Sequence, residues 1–291
     1  MKKIFAHIFL VFFANIIVAQ TTNSVLSQGD WYKFSIDTTG VFKIDKRLLQ
    51  QIGISTSNLN PQKIHIYGNG GNLLPVLNSD FRNVDLEENA IYIEGESDGV
   101  FNDNDYILFY GQGAHSWTAD LDAQIATHNQ NIFSDKAYYF ITVTDTEGKR
   151  VQQKTPVASL STQQITTFDE FVFYEKELIN IFAVGNQWYG EDLSFENTTK
   201  VVLPFSKALP QNPMSLKVGG ATVSSSASSI GVQLNTQDPF TINFSAVNPN
   251  SLTKGYANHR SQVIENSATS LEVTVTFNNN GNPSARGFLD Y

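Results

Sequence analysis

The densest group of potential metal ligands lies between two apolar stretches, at residues 94–105. Its acidic and amide side chains are Glu94, Glu96, Asp98, Asn102, Asp103, Asn104 and Asp105. Ca²⁺ takes about six to eight oxygen ligands, and Asp98, Asn102, Asn104 and Asp105 are the candidates to supply them. The same residue types are favoured in β-turns, and their order does not follow the EF-hand pattern. The sequence therefore predicts either a calcium site or a plain turn, which calcium titration with thermal melting would distinguish.

Histidines are the other candidates for metal or acid–base chemistry. His65 alternates with Ile64 and Ile66, a pattern that favours a strand with the imidazole facing solvent. His115 and His128 flank a segment with a tryptophan and two aspartates, a set that could coordinate zinc or iron. Their separation matches no compact ligand motif. A structural role for the pair is favoured over a metal hydrolase.

Groups for covalent catalysis are scarce. The chain has no cysteine, and hence no disulfide, thiolate metal site or cysteine nucleophile. Gly68–Gly71 lacks the Lys-Ser/Thr ending of a phosphate loop and precedes no helix pattern, which predicts a tight turn. The tryptophans, Trp31, Trp117 and Trp188, could stack on sugars, although core packing is the favoured role.

The elements that must position these residues are mostly strands. Alternation over residues 32–36 and 42–44, around a turn at 37–40, predicts a hairpin. Asp45 is placed to cap a short helix that Gly53 ends. Further alternating runs lie at 64–67, 90–94, 106–110, 136–144, 200–205, 215–218, 240–244 and 271–277. The fold class is therefore mainly β, with two β-rich, sandwich-like domains and one short helix near residues 46–52.

The order of these patterns predicts a domain organisation. Residues 1–19, two lysines before an apolar run, are typical of a signal peptide cleaved after Ala19. An amino-terminal β domain is expected over 20–146, a Thr-, Ser- and Gln-rich linker over 147–166, and a second sandwich-like domain over 167–291. Because the last residues begin a new alternation, we expect this second domain to be truncated at its C-terminus.

The net charge of the chain limits the classes of partner that it can bind. Without Lys2 and Lys3 the chain carries 17 basic and 28 acidic side chains, a net charge of −11. This charge repels nucleic-acid phosphates, and no basic cluster offsets it locally. We therefore expect no nucleic-acid partner.

Several short phrases occur together in one order along the chain. They are Gly29–Lys33, Thr39–Ile44, Ile64–Gly71, Asp98–Phe101, Asp105–Gly111, Tyr138–Phe140, Trp188–Glu191 and Gly287–Tyr291. Together they resemble the amino-terminal region of the PorU family, the gingipain-like cysteine peptidases that act as sortases in type IX secretion. The resemblance implies that the catalytic Cys and His belong to a peptidase domain following this region. Because the chain has no cysteine, no catalytic residue can be carried over from the family.

The resemblance implies a non-catalytic β region, with no cofactor unless calcium binds. It would support protein contacts during export and surface attachment of cargo proteins. Its expected partners are proteins of the type IX secretion machinery and the adjoining peptidase domain. The expected location is the periplasm, outer membrane or cell surface, peripheral to the outer membrane. The alternative is a free-standing cell-surface module that binds glycan or calcium.

Overall fold

The computed structural model describes residues 23–120, 125–155, 164–183, 185–205, 208–209, 212–234, 237–265 and 270–291. The predicted signal peptide lies outside these ranges, as do residues 156–163 of the predicted linker. The chain divides into two compact units. The first comprises Met1–Ser116 and Phe133–Pro156, and the second comprises Trp117–Ile132 and Val157–Tyr291. Among the described residues, no helix has the length and apolar character needed to cross a membrane.

The described residues are mainly β, as predicted. The strands in chain order are β1 (Tyr32–Ile36), β2 (Gly40–Asp45), β3 (Ile64–Tyr67), β4 (Glu88–Asn89), β5 (Ile91–Glu94), β6 (Tyr106–Gly111), β7 (His115–Asp120), β8 (Ile125–Gln130), β9 (Ala137–Val143), β10 (Thr198–Pro204), β11 (Pro213–Val223), β12 (Ser228–Leu234), β13 (Phe240–Phe244), β14 (Tyr256–Glu265), β15 (Ser270–Asn278) and β16 (Arg286–Leu289). One α-helix, α1 (Lys46–Gln51), lies within the described ranges.

The first unit is built from two antiparallel sheets, with strand orders β1-β9-β3-β4 and β2-β6-β5. Their alternating apolar residues share one core, to which Ile66 and Ile141 contribute from the first sheet and Ile44 and Ile107 from the second. The arrangement is sandwich-like, because each sheet buries one face against the other.

The predicted hairpin over residues 32–44 is wrong. β1 pairs with β9, and β2 pairs with β6, so the two strands lie in different sheets. Ile36 and Ile44 nevertheless belong to the same core. The alternation correctly identified the buried face of each strand but carries no information about the pairing partner.

The alternating run over residues 136–144 forms β9, which is central in its sheet because it lies between β1 and β3. Its two faces differ, however. Tyr139 and Ile141 are fully buried, whereas Tyr138 is 42% exposed. Only one face of β9 is therefore completely covered.

The predicted short helix is confirmed. The Asp45 carboxylate accepts a hydrogen bond from the Leu48 N–H at 2.9 Å, which satisfies one of the free donors of the first turn. Leu49 is fully buried, so the helix packs its apolar side onto the core. Gly53 then adopts φ +100, a conformation that favours glycine, and ends the helix.

The first unit continues beyond the start of the predicted linker. The N–H of Val151 donates to the Ile91 carbonyl, and the N–H of Gly148 donates to the Gln62 carbonyl. Residues 148–151 are thus attached to the first unit.

The second unit also contains two larger sheets, with strand orders β10-β15-β12-β13 and β14-β11-β16, while β7 and β8 form a two-stranded sheet. Val232 and Val275 from the first sheet share a core with Val218, Ile264 and Leu289 from the second. The strands β12 and β14 were not predicted. β14 is mostly exposed, whereas on β12 the apolar residues Ile230, Val232 and Leu234 alternate and are buried.

Candidate functional site

The predicted calcium ligands lie in the turn between β5 and β6. Asp98 accepts hydrogen bonds from the Val100 N–H at 3.0 Å and from the Asn102 amide at 2.8 Å. Asp105 is buried and accepts from the Asn102 N–H at 2.7 Å. Asn104 is exposed and lies outside this network. The structure therefore brings three of the four predicted residues together.

In this turn the acidic side chains accept hydrogen bonds from other groups of the same turn. A neighbouring carboxylate, Asp103, lies 2.6 Å from the Lys46 ammonium. Across the described ranges, no three acidic or histidine side chains are grouped as metal ligands would be. The calcium site stays a prediction.

His65 is not solvent-facing, contrary to the sequence-based expectation. The residue is buried, with 4% of its surface exposed. Nδ1 lies 2.7 Å from a Glu88 carboxylate oxygen, and Nε2 lies 2.8 Å from the Thr144 hydroxyl. The strand that carries it, β3, is flanked by β9 and β4, which bring these polar partners to the ring. Burial is tolerated because both ring nitrogens have partners.

His128 lies in an aromatic cluster within the second unit. Its Nε2 is 2.5 Å from a Glu175 carboxylate oxygen, and its ring stacks on Phe173 at 4.4 Å between centroids. Trp117 and Tyr291 also contact the ring, at 5.5 Å and 5.6 Å. His128 therefore pairs with a carboxylate from a distant part of the sequence.

Two further carboxyl groups complete a set that the sequence analysis missed, which we call the carboxyl cluster: Glu175, Glu177 and Asp290. Burial, reinforced by the charge of Glu175, raises the pKa of Glu177 to about 7. Burial, reinforced by Glu175 and Glu177, likewise raises the pKa of Asp290 to about 7. One buried oxygen on each of Glu177 and Asp290 has no hydrogen-bond partner within the part of the chain that the structure describes. The cluster can thus hold protons near neutral pH, because close carboxylates do not all ionise readily.

An exposed apolar segment connects β3 to β4. We call residues 73–84 the apolar segment; its exposed large side chains are Leu73, Leu74, Val76, Leu77, Phe81 and Val84. Phe81 is 85% exposed and Val76 is 84% exposed. Six such side chains within twelve positions form a concentration that commonly marks an interaction surface.

A polar cleft of about 240 Å³ lies in the first unit, beside the glycine-rich turn that follows β3. Its lining residues are Gly68, Asn69, Gly70, Asn83, Glu87, Asn89, Tyr110, Gln112 and Tyr139. These residues come from β4, β6, β9 and the loops around them. Amide side chains dominate the lining.

Backbone geometry explains the glycines in this turn. A Cβ on Gly68 would overlap the Tyr139 ring, and a Cβ on Gly71 would lie 2.8 Å from the Ala137 Cβ and 2.9 Å from the Ala114 backbone. Gly70 adopts φ +81. The structure shows a bend at Gly71, and the tight turn predicted from Gly68–Gly71 stays a prediction. Close packing against β9 and Ala114 explains Gly68 and Gly71.

Comparisons with known proteins were made on both sequence and structure. No protein-family model matches the chain, and no curated protein matches it. Among solved structures, the crystal structure of dimeric latent PorU from Porphyromonas gingivalis superimposes with a TM-score of 0.71 over 92% of this chain, at 22% sequence identity. The chain has the fold of a region of PorU. That region amounts to 24% of the PorU chain, so the present chain spans about a quarter of it.

The phrases that carried the sequence resemblance lie largely on core strands of the first unit. Thr39–Ile44 lies on β2, Ile64–Gly71 spans β3 and the glycine-rich turn, and Asp105–Gly111 lies on β6. These segments form core strands and the wall of the cleft. The structural match confirms the resemblance to PorU at the level of the fold.

Proposed function

We propose that this chain is the non-catalytic β region of a PorU-type sortase of type IX secretion, and that it acts through protein contacts. The observation that carries the proposal is the PorU-like fold over 92% of the chain. In this proposal the protein is exported, lies at the periplasm, outer membrane or cell surface, and is peripheral to the membrane. It contributes to export and surface attachment of cargo without cleaving a peptide bond.

The non-catalytic role is supported by composition. A cysteine peptidase attacks the carbonyl carbon with a thiolate and forms a thioester, a step that requires a cysteine sulfur. The chain contains no cysteine. We therefore expect purified protein to show no cleavage of a type IX cargo protein, and measurable peptidase activity would refute this part of the proposal.

The apolar segment supports a role in binding protein. We assign it to contact with a gingipain-like peptidase domain, because the matched region is 24% of PorU and the resemblance implies a peptidase domain of that family next to this region. Exposed Leu, Val and Phe side chains are suited to such a contact, since removing them from water favours association.

The proposed contact can be tested with a separately produced PorU-type peptidase domain. Isothermal titration calorimetry should detect binding, and the triple variant Leu74→Ser, Val76→Ser, Phe81→Ser should weaken it by about tenfold or more. A matched control places serine at Phe195 and Leu252, which are 94% and 98% exposed in the second unit. Equal affinity of all three proteins, or no binding at all, would contradict the assignment.

Self-association of the chain must be measured alongside this binding, because the matched PorU structure is of a dimeric form. Analytical ultracentrifugation of the protein alone gives its oligomeric state. A dimer that the triple variant dissociates would assign the apolar segment to a second copy of the chain and overturn the proposed peptidase contact.

A further inference from the structure

We infer that the polar cleft of the first unit binds one neutral sugar ring. The cleft has a volume of about 240 Å³, the space of about eight water molecules at about 30 Å³ each. This space accommodates a single six-membered sugar ring with its hydroxyl groups. The inference rests on the cleft and is independent of the proposed role in type IX secretion.

The lining offers hydrogen-bonding groups that the protein does not use. The side chains of Asn83, Glu87 and Gln112 have no hydrogen-bond partner among the residues that the structure describes. An amide both donates and accepts, as a sugar hydroxyl does, and a carboxylate can accept from two neighbouring hydroxyls. Three such groups around one cleft match the alternating donors and acceptors of a sugar ring.

An aromatic side chain supplies the apolar part of sugar recognition. Tyr110 lines the cleft and is 57% exposed. The C–H face of a sugar ring is apolar and packs on an aromatic face, while the phenol hydroxyl remains available to donate.

The remaining lining residues hold the cleft in place. Asn69 accepts from the Glu87 N–H at 2.8 Å and donates to the Asp85 carbonyl at 2.9 Å. The Tyr139 hydroxyl accepts from the Gln112 N–H at 2.7 Å and donates to the Gln112 carbonyl at 3.2 Å. Glu87 and Gln112 are thus anchored through their backbones while their side chains stay unpaired. The backbone of the cleft is thus held before binding, whereas the exposed side chains of Glu87 and Gln112 still lose conformational freedom when a ligand binds.

Other ligand classes fit the lining less well. Glu87 is the only charged side chain in the described lining, so it would repel a phosphate or other anion. A calcium site needs more oxygen ligands with negative charge than one carboxylate supplies. A neutral polyhydroxylated ligand uses the amides and tolerates a single carboxylate.

Saturation-transfer NMR on the purified protein tests the inference. The probes are the methyl glycosides of glucose, galactose, mannose and N-acetylglucosamine, each with and without EDTA. We expect saturation transfer to at least one sugar, insensitive to EDTA, and a loss of about fivefold or more in affinity for Tyr110→Ala and for Gln112→Ala. Tyr256→Ala is the matched control, since Tyr256 is 40% exposed on a strand of the second unit.

Asn83→Ala provides a variant outside any strand, for the case in which a strand substitution impairs folding. It should weaken sugar binding while leaving the melting temperature unchanged. No saturation transfer to any of the four sugars would overturn the inference. Binding that Tyr110→Ala, Gln112→Ala and Asn83→Ala all leave intact, or that EDTA abolishes, would do the same.

Discussion

At the scale of single residues, the carboxyl cluster is the most unusual feature of the second unit. Glu177 and Asp290 have pKa values raised to about 7, mainly by burial, and the negative charge of Glu175 adds to both. Two neighbouring basic side chains act in the opposite direction: His128 lowers the pKa of Glu177, and Lys217 lowers that of Asp290. The folded chain is therefore more stable when the carboxyl cluster retains protons than when the cluster is fully ionised.

The cluster makes a pH-dependent contribution to stability. The raised pKa values mean that the folded chain retains protons which the unfolded chain releases above about pH 4. This contribution is present in full below about pH 4 and is lost as pH rises through about 7. We expect Glu177→Gln and Asp290→Asn each to be more stable than wild type at pH 8, by about 1 to 3 kcal/mol, and nearly equal to it at pH 4.

Urea denaturation of wild type and variants at pH 4, 6 and 8 measures this difference. Glu170→Gln is the matched control, because Glu170 is exposed and lies outside the cluster. An equal gain in the free energy of unfolding for all three variants at pH 8, or no gain, would show that ionisation of the cluster does not destabilise the fold.

At the scale of elements, two glycines in the turn between β5 and β6 differ in the atoms that surround them. Gly95 and Gly99 flank a 3₁₀ turn, and both have positive φ, +86 and +76. A Cβ on Gly95 would overlap the buried Asp105 carboxylate, whereas a Cβ on Gly99 would meet nothing within 4 Å. Asp105 cannot move away freely, because it accepts the Asn102 N–H.

Alanine substitutions at these two glycines separate backbone strain from steric overlap. Both variants bear the cost of a positive φ, about 1 kcal/mol. Gly95→Ala must also displace Asp105, so we expect it to lower the free energy of unfolding by about 1 to 3 kcal/mol more than Gly99→Ala. Chemical denaturation compares the two, and equal losses would exclude the overlap as a cause.

At the scale of the whole molecule, each unit carries its own hydrophobic core. Ile66 belongs to the core of the first unit and Ile230 to that of the second, and both are fully buried. Each core joins strands from two sheets, so a cavity in one core weakens both sheets of that unit.

Ile66→Ala and Ile230→Ala should each lower the free energy of unfolding of the substituted unit by about 2 to 5 kcal/mol. Hydrogen exchange resolved by peptide reads out the two units within one experiment. Protection is expected to fall in the unit that carries the substitution. A uniform loss across both units from either substitution would contradict the assignment of separate cores.

The residue pattern alone determined the β class, the capped helix that ends at Gly53 and the lack of a cysteine nucleophile. These features are local, because alternation, caps and turn residues act over a few positions.

The tertiary structure decided the pairing of β1 with β9, the burial of His65, the carboxyl cluster and the polar cleft. His65 meets Thr144, and Asp290 is near Glu175, only after strands distant in sequence have paired. The spacing of Glu175 and Glu177 was the one sequence signal for the cluster, since side chains two positions apart lie on one side of an extended chain. The burial of a polar side chain depends on partners from elsewhere in the chain, and a local pattern carries no information about those partners.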